Sequence, residues 1–257
     1  ELNGKTYVYL TESSDACRLL ILANPASHFY VGNMPYAFST ENFSTCLENK
    51  TLAYACENLH TAALTDPQNT VPYVGQKLPM SDLIDLPRIG TGVTMPQMQL
   101  KRAVGRIVVR NTAPGFILDG ITTVTNVAKS SRLHNLTETL EQNIGVENLV
   151  EYRGDNSYIS DIVETDEIMP QEQTTGDNPL YVYETHTSSN DTYLIIRGRY
   201  NGESFFYKMA LVDDNRNMLN IQRNTEYIFT ITSIKGRGFS SIADVKASLA
   251  SNTNLDY

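Results

Sequence analysis

Between Tyr193 and Leu211 the chain reads YLIIRGRYNGESFFYKMAL, with apolar and polar positions alternating on both sides of Asn201-Gly202. A period of two is that of a strand, and Asn-Gly is a strong hairpin signal because both central residues of a type I′ turn need positive φ. Pairing Tyr200 with Glu203 sets Gly198 opposite Phe205, Ile196 opposite Tyr207 and Leu194 opposite Met209. Leu194, Ile196, Phe205, Tyr207, Met209 and Leu211 then share one face. Arg197, Arg199, Ser204 and Lys208 fall on the other, with Phe206, so one face is core and the other faces mainly solvent. Gly198 leaves room for the Phe205 ring to lie across the strand.

Similar short runs rich in Val, Ile, Thr, Tyr and Phe recur between turn residues. They predict strands over Thr6–Leu10, Arg18–Ala23, Leu100–Asn111, Phe116–Ala128, Leu180–Thr185, Asp191–Tyr200, Glu203–Val212 and Glu226–Ile234, the signature of an all-β sandwich or barrel. No connection reads as the amphipathic crossover helix of a parallel sheet. Helical patterns are few: Thr40–Asn49 with Thr40 as cap, His134–Asn143, and a stretch after Ser241 ending near Ala250, where Ser241-Ile-Ala-Asp244 reads as a capping box. Thr61–Met98 holds five prolines and reads as a long loop. A composition shift where the strong strand begins at Leu100 places a domain boundary near residue 98, giving units 1–98 and 99–257. Residues 145–178 are acidic and turn-rich, and read as surface loops with at most one edge strand.

Composition narrows the function classes. With 257 residues, 41% apolar and 19% charged, the chain has the make-up of a folded protein, without a long enough apolar run for a membrane helix. Its net charge of −9, with acids and bases interspersed, argues against nucleic acid or an anionic membrane surface as partner. Beginning at Glu1 without an apolar signal segment, it reads as a mature or trimmed fragment. Cys17, Cys46 and Cys56 form no CxxC pair, and the four histidines are scattered, so a zinc site is not expected. A Cys46–Cys56 disulfide and three free thiols are both compatible with this spacing.

Candidate chemistry is sparse. Asp213-Asp214 follow a strand, and Asp161, Glu164, Asp166 and Glu167 cluster in a loop. Adjacent or loop-clustered acids solubilise turns, whereas a glycosidase needs two acids facing each other across a cleft. The Asp213–Asn217 run lacks the spaced ligands and terminal Glu of a calcium loop and reads as a turn. Gly236-Arg-Gly238 lacks the third glycine and βαβ context of a phosphate loop, and no G-x-S-x-G elbow occurs. The tyrosines, among them Tyr7, Tyr9, Tyr30, Tyr36, Tyr54, Tyr73, Tyr193 and Tyr200, suit cross-strand packing or a sugar-binding groove. No catalytic, cofactor-binding or metal-binding residue is therefore assigned, no cofactor is expected, and the chain does not read as an enzyme.

Three segments taken together carry a family resemblance. They are LPMSD (Leu78–Asp82) with LKRAVGRIVVRN and FILDGITTVTN; NPLYVYET (Asn178–Thr185) leading into the hairpin; and IQRNTEYIFTITSIKGRG (Ile221–Gly238). In this order and spacing the chain resembles the fimbrillins of the Bacteroidales, subunits of type V pili. The match runs from about residue 78 to the end, and the first third matches by position only. The resemblance implies an all-β fold of two tandem transthyretin-like antiparallel β-sandwich domains with few short helices. It implies export through the periplasm as a lipoprotein precursor, proteolytic removal of an N-terminal strand, and a place in a cell-surface fimbrium at the outer membrane. It implies donor-strand exchange with other pilus subunits, in a homo- or hetero-polymer, and adhesion to host or bacterial surface ligands. The alternative is a carbohydrate-binding β-sandwich surface lipoprotein, for which the tyrosines are the candidates.

Physical chemistry makes strand exchange workable. A sandwich lacking one strand exposes backbone N–H and C=O groups beside an apolar groove, and a donated strand completes both. Burying about five apolar side chains at roughly 1.5–3 kcal/mol each exceeds the ordering cost of a short segment. Arg106–Asn111 and Tyr227–Ile234 are expected in the sheet of the second unit.

Overall fold

A computed structural model describes residues 10–24, 28–32, 34–61, 78–128, 130–136, 179–187, 192–249 and 254–257, together with the backbone of 149–153. In chain order the elements are β1 (Cys17–Ala23), β2 (His28–Val31), β3 (Met34–Ala37), α1 (Thr40–Leu47), α2 (Leu52–Asn58), β4 (Leu59–Thr61), β5 (Met80–Leu86), β6 (Lys101–Arg102) and β7 (Val104–Asn111). There follow β8 (Phe116–Ala128), β9 (Leu149–Arg153), β10 (Leu180–Tyr183), β11 (Tyr193–Tyr200), β12 (Glu203–Ala210), β13 (Glu226–Ile231), β14 (Ser233–Ile234), α3 (Ile242–Ala247) and β15 (Leu255–Asp256). The fold is all-β, with three short helices among the described residues. The expected strand at Thr6–Leu10 lies outside them.

The main body is a sandwich. One sheet has the order β10-β7-β13 and the other β12-β11-β8-β9. Their inner faces share one core, with Ile107 from β7, Val124 from β8, Leu194 and Ile196 from β11, Met209 from β12 and Ile231 from β13 all fully buried. The hairpin register is as the turn chemistry dictates, from Tyr200↔Glu203 to Leu194↔Met209, with Asn201 at φ 53° and Gly202 at φ 83°. The ring over Gly198 is Phe116, not Phe205. A Cβ at Gly198 would lie 2.1 Å from Cζ of Phe116, whose ring meets Tyr207 edge-on at 5.4 Å.

The second face of the hairpin is not mainly solvated. α3 lies over it, burying Val245 against Tyr193 and Ile195, with Phe206, Phe239 and Ile242 around them. Lys208 is buried there too, its ammonium 3.9 Å above the Tyr193 ring and donating to the carbonyl of Ser248 that ends α3. Ser241 caps this helix by accepting from the Asp244 N–H, as the capping box requires. The local pattern could not show this cover, because the helix comes from thirty residues or more further along the chain.

Arg106–Asn111 and Tyr227–Ile231 do belong to one sheet, but they pair in parallel, Glu226 with Arg106 through Ile231 with Asn111. Among the described residues no crossover helix links them directly; the intervening chain supplies β10 of the same sheet and all four strands of the opposite one before returning. The expected strand through Ile234 breaks at Thr232, whose N–H donates to Asp256, so β14 pairs with β15 instead.

Besides the sandwich and the β14-β15 pair, the described residues form two three-stranded sheets, β1-β5-β6 and β3-β2-β4. The span Thr61–Met98 is not all loop: Pro79 and Pro87 bracket β5, which pairs with β1 from Cys17↔Leu86 to Ala23↔Met80. The chain changes sheets at Ala103, since β6 continues on β5 while β7 enters the sandwich. α1 starts after Ser39, which caps it in place of the expected Thr40 and accepts from the Asn42 N–H. α2 was not expected, although its signal is present: Thr51 caps it, and Leu52, Ala55, Cys56 and Leu59 fall at helical spacing. Phe29, Ala55, Leu59 and Leu133 form its core. Residues 134–136 are not helical, and the rest of the expected helix over His134–Asn143 lies outside the described residues. Within 145–178 the described residues include one edge strand, β9, and the rest of that span lies outside them. Cys17, Cys46 and Cys56 are all free thiols, so Cys46 and Cys56 are not bridged.

Candidate functional site

Two features stand out from the packed body: an open sheet edge and a polar cleft. The edge belongs to β13. The Arg106 N–H donates to the Thr225 carbonyl and the Thr112 N–H to that of Ile231. In a parallel ladder alternate residues turn both backbone groups to the same neighbour, so Tyr227, Phe229 and Ile231 face β7. Glu226, Ile228 and Thr230 then turn theirs outward, and among the described residues no strand pairs with them. Beside this edge Phe229 and Ile231 are buried while Ile228 is 43% exposed. The Arg106 and Glu226 side chains form an ion pair across the β7–β13 ladder.

The cleft, of about 460 Å³, opens where β5, β6, segment 134–136 and the turn ahead of β13 meet. Its wall is a buried ion pair. Arg223 Nε donates to Glu184 Oε2 at 3.0 Å, with side chains only 11% and 8% exposed. Glu184 also accepts from the Asn135 Nδ2 at 2.7 Å and from the Arg223 backbone N–H at 3.3 Å. Arg223 Nη2 donates to Ser131 Oγ and to the Arg132 carbonyl. This pair ties the end of β10 to segment 131–135 and to the turn that launches β13.

Across the cleft the His134 Nδ1 lies 3.0 Å from the Ser81 hydroxyl of β5. Burial, and then the nearby Arg223 charge, push the His134 pKa below its usual value, so the imidazole is neutral at pH 7. Asp82 is committed to backbone, its two oxygens accepting from the N–H groups of Leu83 and Gln99. Asn135 Oδ1 is buried and has no hydrogen-bond partner among the described residues. Two leucines, Leu83 and Leu136, supply the apolar part of the lining.

None of these residues was singled out from the sequence for a site. The cleft joins positions as far apart as Ser81 and Thr225, and no spacing rule connects them. The residues that were weighed do not converge. Asp213 closes a turn, its carboxylate accepting from the side-chain amide of Asn217 and then from the backbone N–H groups of Asn217 and Asn215, which holds its pKa below the usual range. Asp161, Glu164, Asp166 and Glu167 lie outside the described residues, as do Tyr7, Tyr9 and Tyr73. Tyr193 is buried under α3, and Tyr30, Tyr36, Tyr54 and Tyr200 are half-buried on β2, β3, α2 and β11. Gly236 and Gly238 belong to the turn leaving β14, where Phe239 pairs with Phe206. Among the described residues no group of three or more His, Cys, Asp or Glu is placed to hold a metal ion, and no helix is long and apolar enough to cross a membrane.

No protein-family model matches the chain, and no curated protein matches it in sequence. Solved structures do. A candidate cell adhesion protein from Bacteroides eggerthii superposes with a TM-score of 0.54 at 14% identity, over 93% of this chain and 75% of the other. A second candidate cell adhesion protein, from Parabacteroides distasonis, gives 0.47 at 13% identity, over 95% and 74%. The tip fimbrial protein Mfa3 from Porphyromonas gingivalis gives 0.41 at 14% identity, over 84% and 95%. What the chain shares with the first of these is its all-β fold.

Proposed function

We propose that this chain is a structural subunit or tip adhesin of a bacterial cell-surface fimbria, without catalytic activity, joined to other pilus subunits by strand addition. The observation that carries this reading is the outer edge of β13, a ladder with outward backbone groups at Glu226, Ile228 and Thr230 beside the buried Phe229 and Ile231. An extended segment from another subunit would take up those groups by β-augmentation. The shared fold with a candidate cell adhesion protein supports the same reading. With it come the organisation into units 1–98 and 99–257, export as a lipoprotein, trimming of an N-terminal strand, and residence in a fimbrium at the outer membrane.

The test uses the full-length precursor and a substitution on this edge. Trimmed protein is expected to polymerise, as read by size-exclusion chromatography and electron microscopy, while the untrimmed form stays monomeric. Ile228→Pro removes an outward N–H without touching the β7 ladder, so it should keep the monomer folded and abolish or slow polymer growth. Trimmed wild type that stays monomeric overturns the subunit reading. Polymers of Ile228→Pro indistinguishable from wild type overturn the choice of edge.

A further inference from the structure

The cleft has features that the strand-addition reading does not use. At about 460 Å³ it falls within the size range of small-molecule sites. Its ionic groups cancel: Asp82 and Glu184 against Lys101 and Arg223. Burial keeps His134 neutral, so the balance holds at pH 7. The carboxylates are also spent, Asp82 on two backbone N–H groups and Glu184 on Arg223 and Asn135. With two acidic and two basic side chains in the lining, an ionic ligand would meet no net charge.

What remains is neutral hydrogen-bonding capacity. Among the described residues the exposed Gln222 carboxamide has no partner, His134 uses one ring nitrogen on Ser81, and the buried Asn135 Oδ1 has no donor. Alternating neutral donors and acceptors beside a small apolar surface, here Leu83 and Leu136, complement a ring that carries hydroxyls on its rim and C–H groups on its face. We propose that this cleft binds a neutral saccharide of one or two rings, with Gln222 and His134 meeting its hydroxyls and Leu136 its apolar face. The site differs from the tyrosine groove expected from composition, and it is independent of whether the chain polymerises.

The test is made on the monomeric chain. An array of neutral glucose-, galactose-, mannose-, fucose- and N-acetylglucosamine-terminated oligosaccharides, with sialylated counterparts, is followed by calorimetric titration with the methyl glycoside of the best neutral hit. Gln222→Ala and Leu136→Lys sit on the exposed rim, so both should fold as wild type, checked by their thermal transitions. Each is expected to weaken the neutral sugar at least tenfold, while Tyr36→Ala and Tyr54→Ala leave it unchanged. Absence of binding to every neutral sugar, binding untouched by both rim variants, or preference for sialylated over neutral sugars would each overturn the proposal.

Discussion

Replacing Arg223 by Met isolates what the buried ion pair contributes to the junction beside the cleft. The guanidinium makes three hydrogen bonds, to Glu184 Oε2 at 3.0 Å, Ser131 Oγ at 3.1 Å and the Arg132 carbonyl at 3.0 Å. Removing one partner of a buried pair strands the other charge, which costs about 3–5 kcal/mol. The Asn135 Nδ2 and the backbone N–H of residue 223 still reach the Glu184 carboxylate, which places the loss toward the lower end of that range. At about 2–4 °C per kcal/mol for a chain of this size, the midpoint should fall by roughly 10 °C. Thermal unfolding followed by tyrosine fluorescence reads this shift and guanidinium unfolding the free-energy loss, because the chain has no tryptophan. A second substitution sharpens the reasoning. Adding Glu184→Gln to Arg223→Met removes the stranded charge while keeping an acceptor for Asn135, so the double variant should regain about 2 kcal/mol over Arg223→Met alone, a coupling of the size seen between residues in contact. A loss under about 1 kcal/mol for the single variant, or no recovery in the double, would refute an ion pair that matters through its burial.

Gly198→Ala should destabilise by about 3 kcal/mol, the upper end of ordinary overpacking, since its Cβ would meet Phe116 Cζ at 2.1 Å and the Ile117 carbonyl at 2.8 Å. Phe116→Leu in the same chain should recover part of that loss in the same unfolding assay. Acidification should weaken the fold through His134. Its folded pKa lies below the ordinary 6.5, so the unfolded chain binds the proton more readily, and stability falls as pH drops below about 6.5 toward the folded value. His60, also held down by burial, adds to this slope. His134→Gln should flatten the change in unfolding midpoint between pH 7.5 and 5.5, and an unchanged slope would remove His134 as its source.

Much of the strand content follows from patterns only a few residues long. Asn201-Gly202 sets a register that the structure keeps residue for residue. Ser241 and Asp244 place the start of α3. β5 escaped this reading because prolines crowd its flanks and its MSDLIDL run does not alternate, and α2 because its run is short, although its apolar spacing is helical. The candidate site was not readable at all. The outward edge of β13 depends on its pairing in parallel with a strand more than a hundred residues earlier, and the cleft depends on Glu184 meeting Arg223 and His134 meeting Ser81.

Turn dihedrals, helix caps and side-chain alternation are governed by atoms close along the chain, and to that extent the amino-acid order alone settles where this protein bends and which residues face its core. Partner choice between strands, the helix that covers the second face of the hairpin, and the ring that fills the space above Gly198 come from contacts between distant segments. Their gain is realised only when apolar surface is buried and hydrogen bonds close at once across the whole sandwich. Local periodicity is silent on that sum, so the open edge and the neutral cleft belong to the tertiary structure.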